Sequence, residues 1–199
     1  MAYTQSATRL FSAAADATLV AHDPAHSYTP IRAHAASPTA PLPCTPTLAV
    51  APGDGTLVAG GMQLRAVLLL DASSLLPIAT VPLGSDATAL AFGRNRMLFA
   101  ATQACELVVL RLLHENGHES GGCDQHFPSA SVGGVPHGAA HGAIVTSVIS
   151  SAHTSAAAAI AISPHGTLLA SGGTDCSVRV WDAAVISRRG ARPAPPHQR

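Results

Sequence analysis

The residues best placed to do chemistry run His114-Glu115-Asn116-Gly117-His118-Glu119-Ser120-Gly121-Gly122-Cys123-Asp124. The pattern is H-E-x-x-H-x-x-G-x-x-D. Two His four residues apart share one face of a helix and can hold zinc, and an Asp can complete the ligand set. His114, His118 and Asp124 would be those ligands. Glu115 would be the general base that takes a proton from zinc-bound water. This is the chemistry of a zinc-dependent metallopeptidase, and it needs a helix running through His114 and His118.

The motif resembles that of the metzincin peptidases, but its surroundings speak against the helix. Asn116-Gly117 is a poor helix interior, about 1–1.5 kcal/mol worse than Ala. Leu107 to Leu113, just before it, reads as a strand. No Met follows position 97, so the Met-turn of that family is missing. With 11 His in the chain, a short motif arises easily by chance. His126, His137 and His141 add only weak, adventitious metal binding. No G-x-x-x-x-G-K-[ST] loop occurs, no Lys exists to complete one, and G-x-S-x-G is absent. The expectation is a chain that is not an enzyme and carries no cofactor, with the zinc peptidase as the alternative.

The stretch that organises the sequence is His153 to Asp182, HTSAAAAIAISPHGTLLASGGTDCSVRVWD. Short apolar runs are separated by Ser163-Pro164-His165-Gly166 and Gly172-Gly173-Thr174-Asp175. Apolar runs bounded by Pro, Gly, Asp and Ser predict strands joined by tight turns, at about 158–162, 167–172 and 177–182. His153, Ser163-Pro164-x-Gly166, Leu169-Ala170-Ser171-Gly172, Asp175 and Val178-Arg179-Val180-Trp181-Asp182 together resemble one WD repeat (WD40-type) of a β-propeller. Ala152 stands where the family usually has Gly. The resemblance implies that His153, Ser171, Asp175 and Trp181 form a buried hydrogen-bond network. It also implies that Thr174, just before the turn Asp, contacts partners. The equivalent residues in the other repeats are Ala15, Gln63 and Gln103, all uncharged.

Weaker copies fill most of the chain. Leu10 to Asp23 aligns without gaps on Leu169 to Asp182, placing Ser12 on Ser171, Asp16 on Asp175 and His22 on Trp181. No sequence is evident for a first strand in that copy, so 1–32 reads as a half blade. A Pro-rich linker follows at 33–46. A blade spans 47–82, with Leu70 in the Trp position and Leu64 in the Asp position. Another spans 83–152, with Leu110 and Ala104 in those places and a His/Gly/Ser-rich insertion at 114–142. Arg111 follows Asp71 by 40 residues, within the ~40–45 period of such repeats. The last blade, 153–184, lacks a clear outer strand, and 185–199 reads as a disordered tail. The fold class is therefore all-β, a partial β-propeller of about three and a half repeats built from four-stranded antiparallel sheets.

Composition agrees with a packed β protein. Hydrophobic residues reach 47% and charged residues 11%, and 11 basic residues balance 11 acidic ones. No basic patch favours nucleic acid or a membrane surface. No apolar run approaches the ~20 residues of a membrane-spanning helix. The four Cys, at 44, 105, 123 and 176, form no C-x-x-C, which argues for reduced thiols rather than a zinc site. Cys105 and Cys176 fall on equivalent repeat positions and read as small packed residues. One blade cannot bury both of its faces alone. The expected role is a WD-repeat scaffold mediating protein–protein interactions as part of a larger propeller or complex. The expected location is cytoplasmic, with a cytoskeletal or ciliary setting suggested by the diverged repeats of ciliary and centriolar WD proteins.

Overall fold

The computed structural model describes residues 2–3, 8–14, 16, 18–35, 46–51, 56–61, 65–113 and 142–188. They form four antiparallel sheets in chain order. The first holds β1 (Ala2–Tyr3), β2 (Leu10–Ala13), β3 (Thr18–Asp23) and β4 (Thr29–Ala35). The second holds β5 (Pro46–Val50), β6 (Thr56–Gly61), β7 (Ala66–Asp71) and β8 (Pro77–Pro82). The third holds β9 (Ala87–Phe92), β10 (Met97–Thr102), β11 (Leu107–Leu113) and β12 (Gly142–Ile149). The fourth holds β13 (Ala157–Ile162), β14 (Leu168–Gly173) and β15 (Val178–Asp182), followed by a helix, α1 (Ala183–Arg188).

Three of the sequence expectations change here. The first sheet is no half blade: Ala2 pairs with Phe11 and Tyr3 with Leu10, so a two-residue inner strand completes it. So short a strand carries no alternation to read. Its outer strand also runs to Ala35, three residues into the stretch read as linker. The tail expected from 185 begins instead as helix to Arg188. Asp182 caps that helix by accepting from the N–H groups of Ala184 and Val185 at 2.9 and 3.0 Å. The insertion at 114–141 and the end from 189 lie outside the described residues.

The turns follow from their residues. Gly166 closes the β13–β14 turn at φ +67°, donating its N–H to the Ser163 carbonyl at 2.8 Å; a left-handed backbone there suits glycine. Between the second and third strands, Arg65, Cys105 and Cys176 occupy one shared position, and all three are left-handed, at φ 47°, 65° and 60°. The two Cys are thus turn residues, Cys105 half-buried and Cys176 exposed, rather than packed core. Backbone geometry links these positions, not volume.

The sheets pack face to face, each through its own apolar core. Phe11, Leu19 and Ala21 meet Leu68, Leu70, Ala72 and Leu75 between the first and second sheets. Val67, Leu69 and Val81 meet Leu90, Leu98, Val108 and Leu110 between the second and third. Phe99, Leu107, Val109 and Ile149 meet Leu169, Trp181, Ala183 and Ile186 between the third and fourth. Burying apolar area at about 25 cal/mol per Å² is what holds such a stack together. The described helix is too short to cross a membrane.

Candidate functional site

Four side chains from four segments meet where the third and fourth sheets join. His153 lies in the connection from β12 to β13, and its backbone N–H reaches the Cys105 carbonyl at 3.2 Å. Ser171 is on β14, Trp181 on β15 and Asp175 in the turn between them. The Trp181 indole donates to Ser171 Oγ at 2.9 Å. Ser171 Oγ lies 2.8 Å from His153 Nε2, and His153 Nδ1 lies 3.2 Å from both Asp175 oxygens. An indole N–H can only donate. Ser171 then has its single proton to give to Nε2, which leaves Nδ1–H directed at the carboxylate. The chain runs in one direction, from Trp181 through Ser171 and His153 to Asp175.

Asp175 ends that chain because it is the best acceptor nearby. Its Oδ1 takes the Ser177 hydroxyl at 2.7 Å and the Ser177 N–H at 3.1 Å. Its Oδ2 takes the Thr154 N–H at 2.9 Å. The Ser177 hydroxyl and the Thr154 N–H, with His153 adding to them, hold this carboxyl well below the usual carboxylate range against the opposing effect of burial. Gly173 makes room for the arrangement. A Cβ there would sit 2.5 Å from His153 Nδ1 and 2.6 Å from Asp175 Oδ1, whereas one on Gly172 would touch nothing. Sequence reading assigned both glycines to a turn and missed this. The clue was only their position between Ser171 and Asp175.

Asp, His and Ser in hydrogen-bond order are the parts of a nucleophilic triad. Here they are not arranged to attack anything. Ser171 and His153 are each 1% exposed. A lone pair of Ser171 Oγ is taken by the indole, where a triad would leave the oxygen open to a substrate. The set therefore joins sheets rather than performing acyl transfer. The first sheet repeats it in part. Leu10 pairs with His22 as Leu169 pairs with Trp181, and Ser12 Oγ meets His22 Nε2 at 2.7 Å. Asp16 accepts from the Thr18 N–H and hydroxyl at 3.0 and 2.6 Å, as Asp175 does from Ser177. In the third sheet, fully buried Leu110 and Ala100 fill the Trp and Ser positions with apolar contact.

The other candidate residues are dispersed. Thr174 is exposed at the turn, its hydroxyl 2.6 Å from that of Ser155 and its N–H on the Ala156 carbonyl at 2.9 Å. Gln103, its equivalent in the third sheet, is also exposed. Ala15 and Gln63 lie outside the described residues, as do His114, Glu115, His118 and Asp124. What is described is that Leu107–Leu113, leading to that motif, is strand β11 paired on both sides. Among the described residues no group of three or more His, Cys, Asp or Glu could hold a metal.

Comparison with known proteins fits this geometry. Residues 145–182, from β12 through β15, match the family model described as WD domain, G-beta repeat. This stretch is similar to a WD repeat. The network His153–Ser171–Asp175–Trp181 lies within it. The solved structures that resemble the chain include one of the mitotic checkpoint complex, at TM-score 0.66 and 18% identity, covering 90% of this chain and 47% of that one. A structure of U3-55K gives TM-score 0.64 and 18% identity, covering 93% of this chain and 48% of that one. The fold is accordingly that of a partial WD-type β-propeller, and the chain spans about half the length of the structures it matches. No curated protein sequence matches it.

Proposed function

We propose that this WD-repeat chain is a non-enzymatic scaffold that binds other proteins through the exposed turns at its sheet edges, as part of a larger propeller or assembly. One observation carries the reading. Among the described residues, the set with the makings of a triad, Ser171, His153 and Asp175, is consumed in a buried structural chain, while the turn beside it presents Thr174 to solvent. WD repeats generally serve protein–protein interaction, which supports the same role. The formal charge of zero supports protein over nucleic acid as the partner class. A cytoplasmic location, cytoskeletal or ciliary, belongs to the same proposal.

The test is affinity capture with the full chain and with Thr174→Arg, compared by quantitative mass spectrometry. The expected result is a set of proteins held by the wild type and lost from the variant, while circular dichroism of the two is unchanged. Identical capture by both would overturn the assignment of this turn as the contact.

A further inference from the structure

Two turns lie side by side at the end of the strands away from Asp175. One is residues 93–96 between β9 and β10, the other 163–166 between β13 and β14. Their glycines allow the approach. A Cβ on Gly93 would sit 2.7 Å from Phe99 Cε2 and 2.9 Å from Ile162 Cδ1, and one on Gly166 would sit 2.6 Å from Arg94 Cγ. The stem of Arg94 therefore lies against the backbone of the neighbouring turn. Between the third and fourth sheets at this end is a groove of about 620 Å³, within the ~300–1,000 Å³ of ligand pockets. Buried Phe99 and half-buried Met97 supply its apolar lining, and exposed Arg94, Arg111 and His165 supply positive charge and donors.

Arg111 reverses the charge that the other sheets place at its position. It follows Leu107 and Val109 on the face turned to the fourth sheet. It stands opposite Met97 as Asp71 stands opposite Thr56 and Asp182 opposite Leu168, and Asp23 ends β3 in the same way. Each of those carboxylates accepts N–H groups from the residues that follow it. Asp23 takes Ala25 at 2.8 Å, Asp71 takes Ser73 and Ser74 at 3.0 and 2.6 Å, and Asp182 takes Ala184 and Val185. A guanidinium only donates, so Arg111 cannot shape the chain after it in that way. Among the described residues no acceptor meets the guanidinium of Arg111 or of Arg94. The one acidic residue of the groove lining is Asp182, already bound in its helix cap. Two arginines thus share one opening with no carboxylate of the described chain committed to them.

We propose that this groove binds an acidic segment of a partner protein, its carboxylates on Arg94 and Arg111 and an apolar side chain between them on Met97 and Phe99. A guanidinium meets a carboxylate through two parallel N–H···O bonds, and His165 and Asn95 add donors at the rim. A protein segment fits better than a nucleic acid. The formal charge of the chain is zero, so no broad positive field draws in a polyanion. Asp182 opposes closely spaced phosphates, and the apolar lining calls for a side chain. The inference takes its partner class from the scaffold reading, and its site lies at the other end of the strands from Thr174.

Fluorescence anisotropy with the full chain and a fluorescein-labelled peptide, Glu-Asp-Leu-Asp-Glu, tests this. The expected result is saturable binding that weakens as salt rises. Arg111→Asp gives the third sheet the residue of the other three, and Arg94→Glu keeps a stem over Gly166. Each should weaken binding more than about tenfold with circular dichroism unchanged. The matching amide peptide, Gln-Asn-Leu-Asn-Gln, should not bind the wild type. No saturable binding by the wild type, undiminished binding by either variant, or equal binding of the amide peptide overturns the proposal. So does displacement by tripolyphosphate or oligodeoxythymidylate at lower concentration than by unlabelled peptide, which would make the groove a polyanion site. The capture comparison with Thr174→Arg reads the other end of the strands, so the scaffold reading and this groove fail separately.

Discussion

Removing one oxygen from the fourth sheet should cost far more than removing its counterpart from the first. Ser171→Ala deletes the acceptor of the Trp181 indole, 2.9 Å away, and the neighbour of His153 Nε2, 2.8 Å away. Trp181 and His153 are 8% and 1% exposed, so water does not readily replace what is lost. A buried polar group left unsatisfied costs about 1–3 kcal/mol, so two of them give roughly 2–6 kcal/mol. At about 2–4 °C per kcal/mol for a chain this size, the melting temperature should fall by roughly 4–24 °C. Ser12→Ala breaks the matching contact with His22 at 2.7 Å. His22 is half-buried and its other ring nitrogen already meets the Tyr28 carbonyl at 3.1 Å, so the expected cost is below about 1 kcal/mol. Thermal melts by far-UV circular dichroism, with the emission of the single tryptophan as a local probe, measure both. A cycle with Trp181→Leu should show a coupling of about 1–3 kcal/mol, because the double variant copies the apolar pair Ala100–Leu110. Equal losses for Ser171→Ala and Ser12→Ala, or a cycle that is simply additive, would refute the argument.

The network makes two further predictions. Gly173→Ala should lower the melting temperature well beyond Gly172→Ala, because only the former pushes a methyl into His153 and Asp175; similar melts for the two would remove Gly173 from the network. Asp175 is held below its unfolded value of 3.8 by the Ser177 hydroxyl and the Thr154 N–H, so its contribution is complete above about pH 4 and is lost as the pH falls further. Acid titrations of stability should therefore be steeper below pH 4 for the wild type than for Asp175→Asn, and parallel curves would contradict that sign.

Much of the fourth sheet was legible because its polar residues are directional. The resemblance to a WD repeat implied which four residues would meet, and the needs of a Trp for an acceptor and of a buried Asp for donors agree with it. The gapless match of Leu10–Asp23 to Leu169–Asp182 was legible too, and the strand registers reproduce it. That His22 would take the place of an indole in contacting Ser12 was not foreseen, although both residues had been aligned. The inner strand Ala2–Tyr3 and the helix Ala183–Arg188 escaped notice for different reasons. The strand is too short for a period. The helix takes its cap from Asp182, a residue already assigned to β15. The left-handed backbone at Arg65, Cys105 and Cys176 has no side-chain signature, because none of the three is glycine.

The Leu–Ala filling of the third sheet has a consequence for how the chain can change. Contacts made by shape alone tolerate exchange of Leu for Ile or Met at less than about 1.5 kcal/mol. A ring nitrogen, a hydroxyl and a carboxylate in series tolerate almost none. Substitutions can accumulate in the third sheet while the fourth keeps its spelling. A chain that drifts in this way remains recognisable at one segment only, which is where the family pattern is found, at residues 145–182.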